Sequence, residues 1–369
     1  MRRRRKLKKK TISNFMKRQP LKRIILVTII LILVPLIIYG GSIGLRIYNL
    51  YQTMHQSVED EDFEEYEGDD PDRSDEDDNE DQDPEDDSPD LTDEEREALQ
   101  VPEEDIEAYQ FNDNQYYDLP RSPDDPNLLH ILLMGIDSHQ VGGGGRSDSM
   151  MLVRFNKETE EAAIVSVPRD TYIKIPDRGF EKAGHATAYG GTALLIETLE
   201  NYFDLTIDHY IRVDMRSFEI GVDALGGLTI DVPSRMVQHD GKLLFEAGEQ
   251  HMTGDDILEY TRARRLISGE GTDFGRINRQ QQVVIEMLRK IRQDLSLYQT
   301  LDFMEEVARY FRTDMTPGTV ASNWRPFNRM NLDEIETLRL EGEAFTHNGV
   351  YYYRVPVKDA RELMEDLAK

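Results

Sequence analysis

Leu128-Leu129-His130-Ile131-Leu132-Leu133-Met134-Gly135 decides the fold class. This short apolar run, bounded by Pro126 and Gly135, reads as a strand buried on both faces. Working outward, Met150 to Phe155 and Ala162 to Val167 read as two more strands, joined by a turn at Asn156 to Glu160. Gly190 to Phe203 carries a helical stripe of Leu194, Leu195, Leu199 and Phe203. His209 to Val213 and Leu228 to Val232 are further strands, flanking a helix around Phe218 to Leu225. Asp255 to Arg264 and Gly275 to Leu295 read as helices. Glu336 to Leu340 and Val350 to Val355 read as strands, and a last helix starts at Val357. Strands and helices alternate through residues 126–369, which predicts a three-layer α/β/α domain with a central mixed β-sheet.

Upstream of that domain the composition changes three times. Residues 1–23 hold twelve Lys or Arg and no acid. Ile24 to Leu45 is 22 residues without a charged side chain, long enough as a helix to cross the roughly 30 Å hydrocarbon core of a bilayer. The basic head predicts a cytoplasmic N-terminus, with everything after Arg46 outside the membrane. A cleaved signal peptide is the competing reading, but its apolar core is normally about 7–15 residues. Residues 46–125 read as a disordered acidic linker: 29 Asp or Glu fall between 59 and 107 against Arg73 and Arg96. Of the net charge of −28, residues 108–369 retain −14. So acidic a chain is no general nucleic-acid binder. With no cysteine, it has neither a thiol nucleophile nor cysteine-ligated metal.

Two acids flank the first strand pair. Asp137 follows the first strand, where open α/β sheets place ligands, and Asp148 precedes the second. Paired carboxylates in a chain without cysteine suit a hard cation such as magnesium; ordinary turn chemistry is the alternative. Arg169 follows the third strand in Val167-Pro168-Arg169-Asp170. Further on, Arg262 lies four residues after Leu258, Arg264 seven after Ile257, and Arg276 seven before Val283. Arg276, Arg279 and Gln280 share one face of their helix. These spacings continue apolar stripes, so the arginines are expected to point inward and meet an anion. Phosphate is the natural partner of a guanidinium fork; salt bridges to core carboxylates are the alternative. No Gly-x-Ser-x-Gly, Walker loop or dinucleotide-binding glycine pattern occurs, and the histidines lack zinc spacing.

The order of these motifs resembles the LytR-CpsA-Psr family: Gly135-Ile136-Asp137-Ser138, Gly145-Arg146-Ser147-Asp148, Pro168-Arg169-Asp170-Thr171, Lys182 to Gly191, Arg262-Ala263-Arg264, and Asp273-Phe274-Gly275-Arg276 with Arg279-Gln280. The resemblance implies a magnesium-dependent phosphotransferase. Such an enzyme moves an anionic glycopolymer, teichoic acid or capsule, from a polyprenyl-pyrophosphate carrier onto peptidoglycan at the outer membrane surface. It implies that Asp137 and Asp148 hold Mg2+. Arg169, Arg262, Arg264, Arg276, Arg279 and Gln280 would grip the pyrophosphate, with Lys182 and Tyr189 lining the pocket. Arg169, Asp170 and Arg276 are the expected catalytic residues. In one departure, this chain has Lys182-Ala183-Gly184 where the family commonly reads Lys-x-Asn. A polyprenyl-pyrophosphate pyrophosphatase and a non-catalytic wall-polymer scaffold are the competing functions; a DNA-binding regulator is not, for want of a helix-turn-helix pattern.

Overall fold

The computed structural model describes residues 45–54 (Ile47 excepted), 92–119, 121–136, 145–263, 266–267, 273–294, 303 and 311–367. The chain divides into two units at Gln52 and Thr53. In the first, residues 45, 46 and 48–52 are helical. The expected basic head and the membrane segment up to Gly44 lie outside the described residues. No described helix is long and apolar enough to cross a membrane.

In the second unit six strands form one mixed sheet: β1 (Leu128–Ile136), β2 (Ser147–Asn156), β3 (Ala162–Val167), β6 (His209–Asp214), β11 (Phe311–Thr313) and β12 (Glu336–Arg339). Their order is β11-β6-β1-β2-β3-β12. β1 runs parallel to β6 and antiparallel to β2, while β3 runs antiparallel to β2 and parallel to β12. Consequently β1, β3, β6 and β12 all end at one edge, where β2 begins.

The apolar run of β1 is explained by burial on both sides. Leu132, Met134 and Ile136 pack with Leu195, Leu199 and Phe203 of α3 (His185–Phe203) and with Ala360 and Met364 of α8 (Val357–Asp366). Leu129 and Ile131 pack on the other face with Phe155, with Leu288 of α6 (Asp273–Asp294) and with Phe327 of α7 (Pro317–Arg329). A second core joins β7 (Leu228–Val232), β8 (Met236–Val237), β9 (Leu243–Phe245), β10 (Gly248–Met252) and α5 (Gly254–Arg262) to α6 through Ile230, Met236, Phe245, Ile257, Tyr260 and Val283. α4 (Met215–Ala224) adds Val222 to it.

Three differences from the sequence reading bear on function. The long first helix starts at His185, five residues before the expected Gly190, and breaks at Gly190-Gly191, where Gly191 has φ 63° and ψ −160°. Only glycine takes that conformation without strain. Second, an unanticipated hairpin, β4 (Tyr172–Ile175) with β5 (Gly179–Lys182), carries Lys182. Third, the expected linker is folded at its C-terminal end, into α1 (Asp93–Ala98) and α2 (Glu103–Tyr117). Ile106 of α2 is buried with Tyr172 of β4, with Phe345 of β13 (Glu343–His347) and with Tyr352 of β14 (Val350–Arg354). Asp113 is buried and lies 3.7 Å from Arg354. Gln110 donates to the Tyr172 hydroxyl at 2.7 Å and Asn114 accepts from Lys174 at 2.8 Å. Composition over the whole tract hides one helix that docks on the domain by a single face. The folded domain therefore begins before residue 126.

Candidate functional site

The edge where β1, β3, β6 and β12 end is also where β2 starts with Ser147 and Asp148. Beyond β3, Arg169 turns back across this edge. Its guanidinium NH1 donates to Asp148 Oδ1 at 2.9 Å, while its Nε lies 3.6 Å from Asp170 Oδ2. Lys182 Nζ, arriving from β5, lies 3.4 Å from Asp170 Oδ1. Four groups thus alternate in sign along a chain: Asp148, Arg169, Asp170, Lys182. Arg169, Asp170 and Lys182 are buried and Asp148 is half-buried, so the attractions act where water screens poorly. Both oxygens of Asp170 face cations, an arrangement that orients Arg169 and Lys182.

Gly184 closes the constellation from behind. Its N–H donates to the Arg169 carbonyl at 2.9 Å, and its own carbonyl accepts from Ser147 N–H at 3.1 Å. A Cβ at this position would sit 2.8 Å from the Ser147 carbonyl oxygen and 3.2 Å from Arg169 Cβ. The site here is assembled around a residue with no side chain.

α6 supplies the next layer, and its three consecutive glutamines diverge. Gln280 accepts from Ser149 Oγ at 3.2 Å, beside Asp148. Gln281 is buried and donates to Ser166 Oγ at 2.9 Å and to the Leu338 carbonyl at 2.7 Å, joining β3 to β12. Gln282 accepts from the Tyr260 hydroxyl at 2.8 Å and donates to the Asp231 carbonyl at 2.9 Å. Arg276, one turn before Gln280, is buried as expected. Tyr189 precedes the break in α3; Arg178 stacks over its ring at 5.0 Å and His185 meets it edge-on at 6.1 Å.

Four expected site residues need correction or fall outside the described residues. Arg279 is buried, but its Nε donates to the Tyr260 carbonyl at 2.8 Å and a terminal nitrogen donates to the Ala263 carbonyl. These carbonyls belong to the C-terminal end of α5, where a cation satisfies orphan acceptors and opposes the helix dipole. Arg262, expected to face inward, is exposed at the end of α5; the buried face of that helix runs through Gly254, Ile257, Tyr260 and Thr261, and Leu258, only half-buried, lies at its margin. Asp137 and Arg264 lie outside the described residues. Sequence reasoning met Gly184 only as a departure from the family pattern, and it missed Gln281 and Tyr352, whose ring lies under Lys182 Nζ at 5.8 Å. Only the run Gln280-Gln281-Gln282, three amides at the start of an apolar stripe, carried a readable signal.

Among the described residues no cluster of three or more His, Asp or Glu forms a ready-made metal cage. Magnesium keeps several waters and takes one or two carboxylates along with substrate phosphates, so of the two expected ligands the described residues supply one. Asp148 offers a half-buried carboxylate with one oxygen on Arg169.

The chain matches the LytR_cpsA_psr family over residues 91–369. The polyisoprenyl-teichoic acid–peptidoglycan teichoic acid transferase TagU of Halalkalibacterium halodurans is 34% identical over 251 residues, covering 67% of this chain and 79% of that protein. The crystal structure of Bacillus subtilis TagU aligns with a TM-score of 0.52 at 30% identity, covering 66% of this chain and 96% of that one. A structure of TagT bound to LI-WTA aligns with a TM-score of 0.55 at 25% identity, over 67% of this chain and 92% of its own. With its mixed sheet, its charged strand-end edge and a family match over three quarters of its length, the chain belongs to the LytR-CpsA-Psr family.

Proposed function

We propose that this protein transfers an anionic glycopolymer from a polyprenyl-pyrophosphate carrier to a peptidoglycan hydroxyl. The class, a glycopolymer transferase, is that of the named relatives. The observation that carries the finer reading is the charged chain Asp148-Arg169-Asp170-Lys182, with Arg276 buried on α6 one turn before the Gln280 that meets Ser149. A cluster of buried cations at strand ends suits a ligand with several negative oxygens, and pyrophosphate presents them in pairs.

In this mechanism the acceptor hydroxyl attacks the polymer-side phosphorus and forms a new P–O bond. The bond to the bridging oxygen breaks, polyprenyl phosphate leaves, and the hydroxyl proton departs with it. Arg169, Lys182 and Arg276 hold the phosphate oxygens and lower the cost of the charge that builds on them. Asp170 fixes the Arg169 and Lys182 head groups, and Gln280 with Ser149 fills the space beside Asp148. Asp137 and Asp148 would hold Mg2+, which when bound supplies further charge neutralisation at the phosphates. Ile24 to Leu45 would anchor the chain, with the basic head cytoplasmic and the domain outside the cell, facing peptidoglycan.

The test is polymer attachment by the full chain in detergent, with a lipid-pyrophosphate-linked glycopolymer, peptidoglycan fragments and magnesium. Arg276→Ala and Asp148→Ala should each lower turnover by about a hundredfold, the scale of one lost electrostatic contact, and EDTA should abolish it. Pyrophosphate cleavage without attachment would assign a hydrolase instead. Tight donor binding without any turnover would assign a scaffold.

A further inference from the structure

We propose that Arg339 forms a second anion subsite, binding a phosphodiester of the glycopolymer beyond the pyrophosphate; this rests on the transfer reading above. Four strands end at the ligand edge of the sheet, and Arg339 is the last residue of β12, one of the four. It lies opposite Ser166, whose hydroxyl accepts from Gln281 of α6. Paired residues share a face, so Arg339 stands on the side of the sheet that α6 covers. There its guanidinium carbon sits 4.1 Å from the ring centroid of Phe274, in the first turn of α6 and two residues before Arg276.

The partners of this side chain are its unusual feature. Other half-buried arginines of the domain are engaged: Arg354 by Asp113, Arg361 by the Asn201 and Tyr202 carbonyls, Arg289 by Glu286 and Asp333, and Arg292 by the Met330 carbonyl. Arg339 is half-buried too, yet it makes no hydrogen bond or ion pair with any described residue. In a segment of net charge −14, where carboxylates are plentiful, such an arginine is withheld from internal pairing. Phe274 packs its ring against the guanidinium and offers it no hydrogen-bond acceptor, so the N–H groups remain for a ligand. Those donors match a pair of phosphate oxygens. The pyrophosphate is already served by Arg169, Lys182 and Arg276, so a further anionic group of the same donor is the fitting occupant. A glycopolymer with phosphodiester repeats supplies one; a neutral saccharide does not.

The experiment compares two donors on the full chain: a lipid-pyrophosphate carrying a polyanionic phosphodiester polymer, and one carrying a neutral disaccharide. Arg339→Gln should raise the ratio of KM for the polyanionic donor to KM for the neutral donor by about tenfold or more. Arg339→Lys should recover part of the difference, since it keeps the charge and loses the fork. A ratio within twofold of wild type would overturn the proposal, as would equal losses with both donors. A second arm needs no turnover. Titration with a soluble phosphodiester oligomer should show salt-sensitive binding that weakens in Arg339→Gln; unchanged binding would also overturn it. If wild type transfers neither donor, the transfer reading fails, and the oligomer titration still decides Arg339.

Discussion

Gly184→Ala tests whether the site is built around a missing side chain. The glycine has φ −63° and ψ −23°, open to any residue, so the cost is steric and not torsional. The added Cβ would stand 2.8 Å from the Ser147 oxygen, where ordinary contact begins at 3.4 Å. Relief therefore needs a shift of about 0.6 Å, and the nearest atoms are backbone or Cβ, which do not rotate aside. Ser147 adjoins Asp148, and the other neighbour is Arg169 itself; moving them apart by that amount would stretch their 2.9 Å contact beyond hydrogen-bond length. Overpacking of this kind costs about 1–3 kcal/mol. A displacement over half an ångström among the groups proposed to bind the donor should cost roughly tenfold or more in rate, since about 1 Å can cost a hundredfold. Urea denaturation reads the first effect and polymer attachment the second. Gly184→Asn, which installs the residue common in the family, should be worse still in this chain. An alanine variant with wild-type stability and rate would refute the reasoning.

Arg279→Ala should cost about 2–4 kcal/mol in urea denaturation, because two buried carbonyls at the end of α5 lose a charged donor; its effect on donor KM should be small if capping is its task. Ile106→Ala should cost about 2–4 kcal/mol and speed hydrogen exchange across residues 172–182, since α2 packs on that hairpin. His130 is held neutral: burial first, then the charge of Arg154, lowers its pKa below the ordinary 6.5. The unfolded chain then binds more protons between the folded value and 6.5, so stability rises with pH through that window and is lost below it. His130→Gln should remove this part of the loss, read from urea midpoints at pH 5 and 7.5. Asp148→Asn frees Arg169 from its carboxylate; with EDTA present it should bind a pyrophosphate lipid about fivefold or more tighter than wild type, while turnover with magnesium falls.

The sheet was readable because its strands carry the pattern that their surroundings impose. β1 is apolar on successive residues because helices cover both faces, and that burial leaves a mark in composition. Strand order was not readable. β12 lies beside β3 although some 170 residues separate them, and nothing local in Glu336–Arg339 names its neighbour. The β4–β5 hairpin escaped for a related reason: its stability comes from Tyr172 packing on Ile106, Phe345 and Tyr352, contacts supplied by three distant segments. α2 was masked by the acidic run before it, even though its own Ile106, Tyr109, Asp113 and Tyr117 fall on one helical face.

Among the arginines the same limit takes a sharper form. Helical periodicity assigns a side chain to a face but says nothing about what the face meets. Arg276 and Arg279 share a face of α6 and both are buried, yet Arg279 turns to the carbonyls of α5. Arg339 sits on a strand with no pattern to recommend it, and the parallel register carries it to the edge where β1 and β3 also end. Function therefore follows partners more closely than burial does. A guanidinium bound to carbonyls is committed to the fold. One set between two carboxylates, like Arg169, is oriented but must release Asp148 before that donor reaches a phosphate. One laid on an aromatic ring without an acceptor is already in place. On the proposed reading, an acidic domain that binds an anionic donor has reason to keep its arginines in these three conditions, since cations left loose among so many carboxylates would pair with them and be lost to the ligand.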